Sequence, residues 1–131
     1  MTILKLTIES QGVSVNTAYG TDWKHRRRFM KANGQDLKAA ATYAVYRNYA
    51  AVKEFMRDCT TRTPLRLTIS VYRPIYNSRG DFLKLDGSNY IKLVEDAVSE
   101  AIGYDDRQHV TTTVHKVHSK PRYVTVTIEK L

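Results

Sequence analysis

Between positions 86 and 106 the chain reads Asp86-Gly87-Ser88-Asn89-Tyr90-Ile91-Lys92-Leu93-Val94-Glu95-Asp96-Ala97 and then, a few residues on, Asp105-Asp106. Carboxylates can hold a hard divalent cation, and a fixed ammonium can neutralise charge that builds on a phosphate. On a helix turning ~100° per residue, Asn89, Lys92 and Asp96 fall within about 60° of one another. Ile91, Val94 and Val98 occupy the opposite side, so the amide, amine and carboxylate form one row facing away from the core. Asp86 stands just before the helix start, where unpaired backbone N–H groups favour an anion. Each piece also has an ordinary structural role. Asp86 or Ser88 can be an N-cap, Asp105-Asp106 a turn, and Lys92 and Asp96 an i,i+4 pair contributing about 0.3–0.5 kcal/mol. Their occurrence together in one short stretch points to chemistry.

The elements that must position these groups follow from periodicity. Residues Ile3 to Glu9 alternate, with Leu4, Leu6 and Ile8 on one face of a strand. Gln11 to Ala32 has no clean period and reads as a long functional loop, ended by Asn33-Gly34, with Asn33 as a helix cap and Asp36 in the first turn. One long helix is expected from about Gln35 to Asp58, its apolar stripe running Leu37, Ala41, Val45, Tyr49, Val52 and Met56, widened by Ala44 and Phe55. Pro64 breaks the chain, and Leu65 to Arg73 alternates as a second strand. Pro74 to Leu85 is loop. A second helix runs from about Ser88 to Ile102 and stops at Gly103. Two strands, about Gln108 to His118 and Arg122 to Lys130, complete the order β-α-β-α-β-β. That pattern predicts one α+β domain over residues 1–131, a mixed or antiparallel sheet with two helices on one face.

Charge is unevenly spread. Lysine and arginine number 21 against 13 acids, a net +8 in 131 residues. Lys24, Arg26, Arg27, Arg28 and Lys31 form a run with His25 and no acid, and Tyr19, Trp23 and Phe29 are interleaved with it. A second acid-free stretch holds Arg107, Lys116, Lys120 and Arg122 with His109, His115 and His118. The histidines are too irregular for a zinc site, and on an alternating strand they read as surface or phosphate contacts. Between these basic regions, Asp81 to Asp106 carries seven of the thirteen acids against two lysines. A surface that binds phosphates and also holds metal has this pattern, and so does one solvated helix face flanked by turns. No apolar run approaches the ~18 residues a membrane span needs, and Lys5 and Glu9 do not fit the apolar core of a signal peptide. With Cys59 alone, an intramolecular disulfide and a cysteine metal cluster are excluded. A reducing, cytoplasmic setting is expected.

The motif resembles that of the RusA-type Holliday junction resolvases: an Asp-x-Asp-Asn-x-x-Lys-x-x-x-Asp-Ala block followed by Asp-Asp. Here Asp86, Asn89, Lys92, Asp96-Ala97 and Asp105-Asp106 match. The N-terminal region is similar in kind, with a strand, Ser14-Val15-Asn16-Thr17-Ala18-Tyr19, a basic loop and a long helix. The resemblance implies a small homodimeric nuclease that nicks four-way DNA junctions with Mg²⁺ or Mn²⁺, in recombination and repair. Carried over by position, Asp86 and Asp106 are metal-binding aspartates with Asp105 beside the latter, Lys92 is the essential lysine and Asn89 its supporting asparagine. Ser88 departs from the pattern, standing where the family has a second catalytic aspartate. A neutral hydroxyl holds a hard ion less firmly than a carboxylate. Either the metal site is weaker, or Asp81, Asp96 or Glu95 substitutes, or the chain binds junctions without cutting them efficiently.

Two hard cations about 3.5–4 Å apart would activate water, stabilise the transition state and assist the leaving oxygen. Asp86, Asp106, Asp105 and Ser88 are the expected shell, and Lys92 the preorganised cation, with balancing Asp96 as its alternative role. Lys24, Arg26, Arg27, Arg28 and Lys31 are expected to grip DNA phosphates, with Asn16 and Tyr19 as further DNA contacts; Tyr19, Trp23 and Phe29 are of the type that stacks on exposed bases or wedges at a branch point. Resolving a near-twofold junction needs two matched cuts, hence a twofold dimer. Competing readings are a structure-selective DNA- or RNA-binding dimer with a lost metal site, and a basic RNA-binding domain of ribosomal type.

Overall fold

A computed structural model of the chain describes residues 1–9, 19–22, 27–30, 32–84 and 88–131. Side chains are described for residues 1–9, 35–84 and 91–131. Strand β1 (Ile3–Ile8) is followed by β2 (Tyr19–Asp22), β3 (Arg27–Met30), helices α1 (Ala32–Arg47) and α2 (Tyr49–Arg57), and β4 (Leu65–Arg73). Helix α3 (Ser88–Ile102), a 3-10 turn (Asp106–Gln108), β5 (His109–His118) and β6 (Tyr123–Lys130) complete the chain.

Four strands form one mixed sheet in the order β1-β6-β4-β5. β6 lies antiparallel to β1 and to β4, while β5 runs parallel to β4. A parallel neighbour requires a crossover, and α3 supplies it between β4 and β5. The alternation expected of β4 holds throughout: Leu65, Leu67, Ile69 and Val71 are fully buried. They share a core with Leu4, Leu6 and Ile8 of β1, Val124, Val126 and Ile128 of β6, and the apolar faces of all three helices. Pairing Ile3 with Glu129, and Glu129 with Arg66, puts the alternate residues on the other face. That face is only half covered, as expected of a sheet with helices on one side.

Three expectations need correction. The helix expected over 35–58 is two helices, separated at Asn48 (φ −112°, ψ 28°). Asn48 Nδ2 donates to Ala44 O at 2.8 Å, an acceptor that its own backbone N–H also reaches at 3.2 Å. A side-chain amide that competes with the backbone for a carbonyl in this way interrupts the helix. Tyr49, placed in the apolar stripe, is instead 61 % exposed. The first helix also starts earlier than the Asn33 cap allows. Asn33 and Gly34 lie inside its first turn, where N–H groups have no helical partner and a poor helix former costs little. Asp36 accordingly falls beyond that turn. Finally, part of the segment expected as a loop is a hairpin. β2 and β3 pair antiparallel with Tyr19 opposite Met30 and Asp22 opposite Arg27.

Candidate functional site

Helix α3 is built as its sequence demands. Leu93, Val94, Ala97 and Val98 are buried, a stripe rotated slightly from the expected one because α3 packs against α1 as well as the sheet. The helix ends at Gly103, whose φ of 99° is open to glycine and costly for other residues. The N–H groups of Gly103 and Tyr104 both donate to Ser99 O, at 2.8 and 3.1 Å. The chain then folds back beside the helix through Asp105 and Asp106 into β5.

This return brings three of the expected residues together. Lys92 Nζ lies 3.0 Å from Asp96 Oδ1, one helical turn on, and 3.1 Å from Asp106 Oδ2. The two hydrogen bonds and the two negative charges hold the Lys92 ammonium well above the usual lysine range. Burial pushes the Asp96 carboxyl up, against the lowering pull of Lys92. Asp105 points its charge elsewhere. Its Oδ1 accepts from Arg107 N–H at 2.9 Å, while Oδ2 takes Arg107 Nε at 2.9 Å and Nη2 at 2.7 Å. The guanidinium holds the Asp105 carboxyl down at about 2. Gln108 ties the end of the connection to the α2–β4 turn, donating to Thr60 O and Thr63 O at 2.8 and 3.1 Å.

Lys92, Asp96, Asp105 and Asp106 line an open cleft of about 630 Å³ whose far wall is Met56, Cys59, Thr60 and Thr61. An ammonium clamped between two carboxylates in an open cleft is a charge array fixed in advance. Residues 20–129 match the family model described as Endodeoxyribonuclease RusA. The chain belongs to this family. Its members are RusA-type Holliday junction resolvases, endodeoxyribonucleases that act on four-way DNA. A search of curated proteins found no match.

Family membership makes the remaining placements informative. Asp86 lies outside the described residues, as do Asn16, Lys24, Arg26 and Lys31. Ser88 and Asn89 are in the first turn of α3, and Tyr19, Arg27 and Arg28 are on the β2–β3 hairpin, with side chains beyond those described. Carboxylate oxygens suit a hard divalent cation, and Asp106 presents one in the cleft beside Asp96. Among the described residues no group of three or more His, Cys, Asp or Glu side chains is arranged around a metal. Asp86 would have to complete such a shell.

Of the acids weighed as substitutes at Ser88, Glu95 is engaged elsewhere. It accepts from Thr112 Oγ1 at 2.7 Å and lies 3.2 Å from His109 Nδ1. Asp81 is exposed in the loop before α3, where its backbone N–H donates to Asn77 Oδ1 at 2.9 Å. Asp96 alone of the three lies in the cleft with Lys92. His109, read as a surface or phosphate contact, is buried: its side chain is 1 % exposed. His118 accepts Ile75 N–H at its Nδ1, 3.0 Å away. Sequence reasoning missed the role of Glu95, His109 and Tyr104 because an irregularity in β5 decides it. Leu65 pairs with His109 but Arg66 pairs with Thr111, so Val110 is an extra residue. This bulge puts His109 on the same face as Thr112, which pairs with Leu67, and strict alternation would not.

Proposed function

We propose that the chain is a Mg²⁺- or Mn²⁺-dependent endonuclease that acts as a twofold dimer and resolves four-way DNA junctions by paired symmetric nicks. The observation that carries this reading is the Lys92 ammonium held between Asp96 and Asp106, in an open cleft, on a chain of the RusA family. Asp106 and Asp86 would hold the metal, with Ser88 and Asp105 completing its shell directly or through water. A bound divalent ion would supply an activated water and Lewis-acid stabilisation of the phosphorane-like state.

The chain's own residues do the rest. Asp96 holds Lys92 in place in the cleft, so its ammonium is in position when negative charge develops on the phosphate or the leaving oxygen. A cation positioned beforehand needs no reorganisation during the reaction, which is where its advantage over water lies. The basic residues of the β2–β3 segment grip the backbone phosphates and carry no sequence information. The sheet face left open by the helices offers a regular surface for the second copy. A role in DNA recombination and repair, inside a bacterial or phage-infected cell, follows from that substrate.

The deciding experiment compares a labelled four-way junction with its linear duplex, each with and without Mg²⁺ or Mn²⁺. Wild type is expected to nick the junction only with metal, and Asp106→Asn to lose cleavage by at least two orders of magnitude while retaining junction binding. Wild type that never nicks a junction with either metal rejects the enzyme reading. A junction-binding dimer with a weakened metal site is the second reading. It is favoured by Ser88 in place of a carboxylate and by Arg107 occupying both oxygens of Asp105. Ser88→Asp separates the two: under the enzyme reading it lowers the metal concentration needed for half-maximal cleavage.

A further inference from the structure

Behind the cleft lies a chain of hydrogen bonds that the reaction scheme does not use. Tyr104 Oη is 2.6 Å from His109 Nε2, His109 Nδ1 is 3.2 Å from Glu95 Oε1, and Thr112 Oγ1 donates to the same oxygen at 2.7 Å. A carboxylate only accepts, so His109 Nδ1 carries the hydrogen that faces Glu95, and Nε2 is left to pair with the Tyr104 hydroxyl. The side chains of His109 and Glu95 are 1 % and 15 % exposed, so removing the Tyr104 hydroxyl leaves His109 Nε2 buried without that partner.

The chain joins three separate elements. Glu95 is on α3, one residue from Asp96 and one turn from Lys92. His109 and Thr112 are on β5, brought to one face by the Val110 bulge. Tyr104 is on the connection between them and immediately precedes Asp105-Asp106. The far end of that connection is fixed by Gln108 on Thr60 and Thr63. Asp106 therefore hangs between two anchors, and the Tyr104 anchor refers it to the same helix that presents Lys92.

We propose that Glu95, His109 and Tyr104 are positioning residues of the endonuclease site, a buried relay of hydrogen bonds that holds the Asp105-Asp106 connection at a fixed distance from Lys92 and Asp96. The inference rests on the endonuclease reading and goes beyond it, since Glu95 and His109 lie outside the cleft lining and act through Tyr104 and the connection. Its size follows from geometry: a displacement of about 1 Å at a reacting group costs about a hundredfold in rate.

The test uses the full chain with Tyr104→Phe, which removes one oxygen and keeps the ring. Amide hydrogen exchange is measured across residues 103–108, with single-turnover junction cleavage at saturating Mg²⁺ and junction affinity in Ca²⁺. Exchange in the connection is expected to rise at least tenfold while the core strands stay protected. Cleavage is expected to fall ten- to a hundredfold, with affinity within twofold of wild type. Glu95→Gln, which keeps an acceptor oxygen, should retain most of the rate that Glu95→Leu loses, a difference that a merely space-filling role would not produce. Tyr104→Phe with unchanged exchange, or with cleavage equal to that of an active wild type, overturns the inference alone. Wild type that fails to cut overturns the endonuclease reading and the inference with it.

Discussion

At the scale of single residues, Lys92 and Asp105 make opposite demands on their surroundings. Lys92 is 64 % exposed in its side chain, and exposed ion pairs contribute at most about 1 kcal/mol to stability. Lys92→Met should therefore leave the unfolding midpoint nearly unchanged while single-turnover cleavage falls by two to three orders of magnitude, the usual effect of deleting a preorganised charge. Equal losses of stability and rate would assign Lys92 to the fold instead. Asp105 is depressed from the usual 3.8 to about 2, first by the side-chain hydrogen bond from Arg107 and then by its backbone N–H. A folded value below the unfolded one means that the carboxylate's stabilising contribution is present above pH 4. It is lost as pH falls from about 4 toward 2. In metal-free protein, a carboxyl titration followed by NMR should place Asp105 near pH 2. Arg107→Ala should bring it most of the way back to 3.8; a midpoint that stays near 2 would show that the guanidinium is not the cause.

At the scale of elements, Gly103 is the joint on which the site turns. Its φ of 99° is outside the range that L side chains adopt cheaply, yet a Cβ there would meet nothing within 4 Å. Gly103→Ala is thus a purely conformational substitution, expected to cost about 1–3 kcal/mol in urea unfolding. An unchanged midpoint would mean that the helix end relaxes, and Asp106 with it. This joint was legible in advance, as were β4, β6 and the limits of α3, because alternation and the 3.6-residue period are unbroken there. Lys92 and Asp96 were legible as a row for the same reason. Other features depended on one residue leaving the regular pattern. Asn48 splits the long helix while the apolar spacing carries on across the break. Val110 bulges out of β5 and turns His109 inward, toward Glu95. The β2–β3 hairpin was hidden because its run of cations carries no apolar period. The pairing of Asp106 with Lys92 could only be guessed from a motif, since it depends on how the chain returns after Gly103.

At the scale of the whole molecule, charge decides how DNA is met. The chain carries +8 overall, yet the cleft is framed by Asp96, Asp105, Asp106 and Glu100. Long-range attraction must then come from cations elsewhere, and the segment Lys24 to Lys31, which includes β3, is the densest acid-free run before the first helix. Each phosphate neutralised by such a side chain releases condensed counterions, and the logarithm of affinity falls with the logarithm of salt by about 0.9 per contact on duplex DNA. Replacing Arg26, Arg27 and Arg28 together with alanine is expected to reduce that slope by roughly two to three units if all three reach the duplex arms. Affinity for a junction and for a linear duplex should weaken together, because phosphate contacts position DNA without reading it. If their part is to grip DNA, the cleavage rate of junctions already bound at low salt should change little. A slope that stays at the wild-type value would remove the hairpin segment from the interface. Attraction would then fall to the other acid-poor surface, the stretch from Arg107 through Lys116 and Lys120 to Arg122.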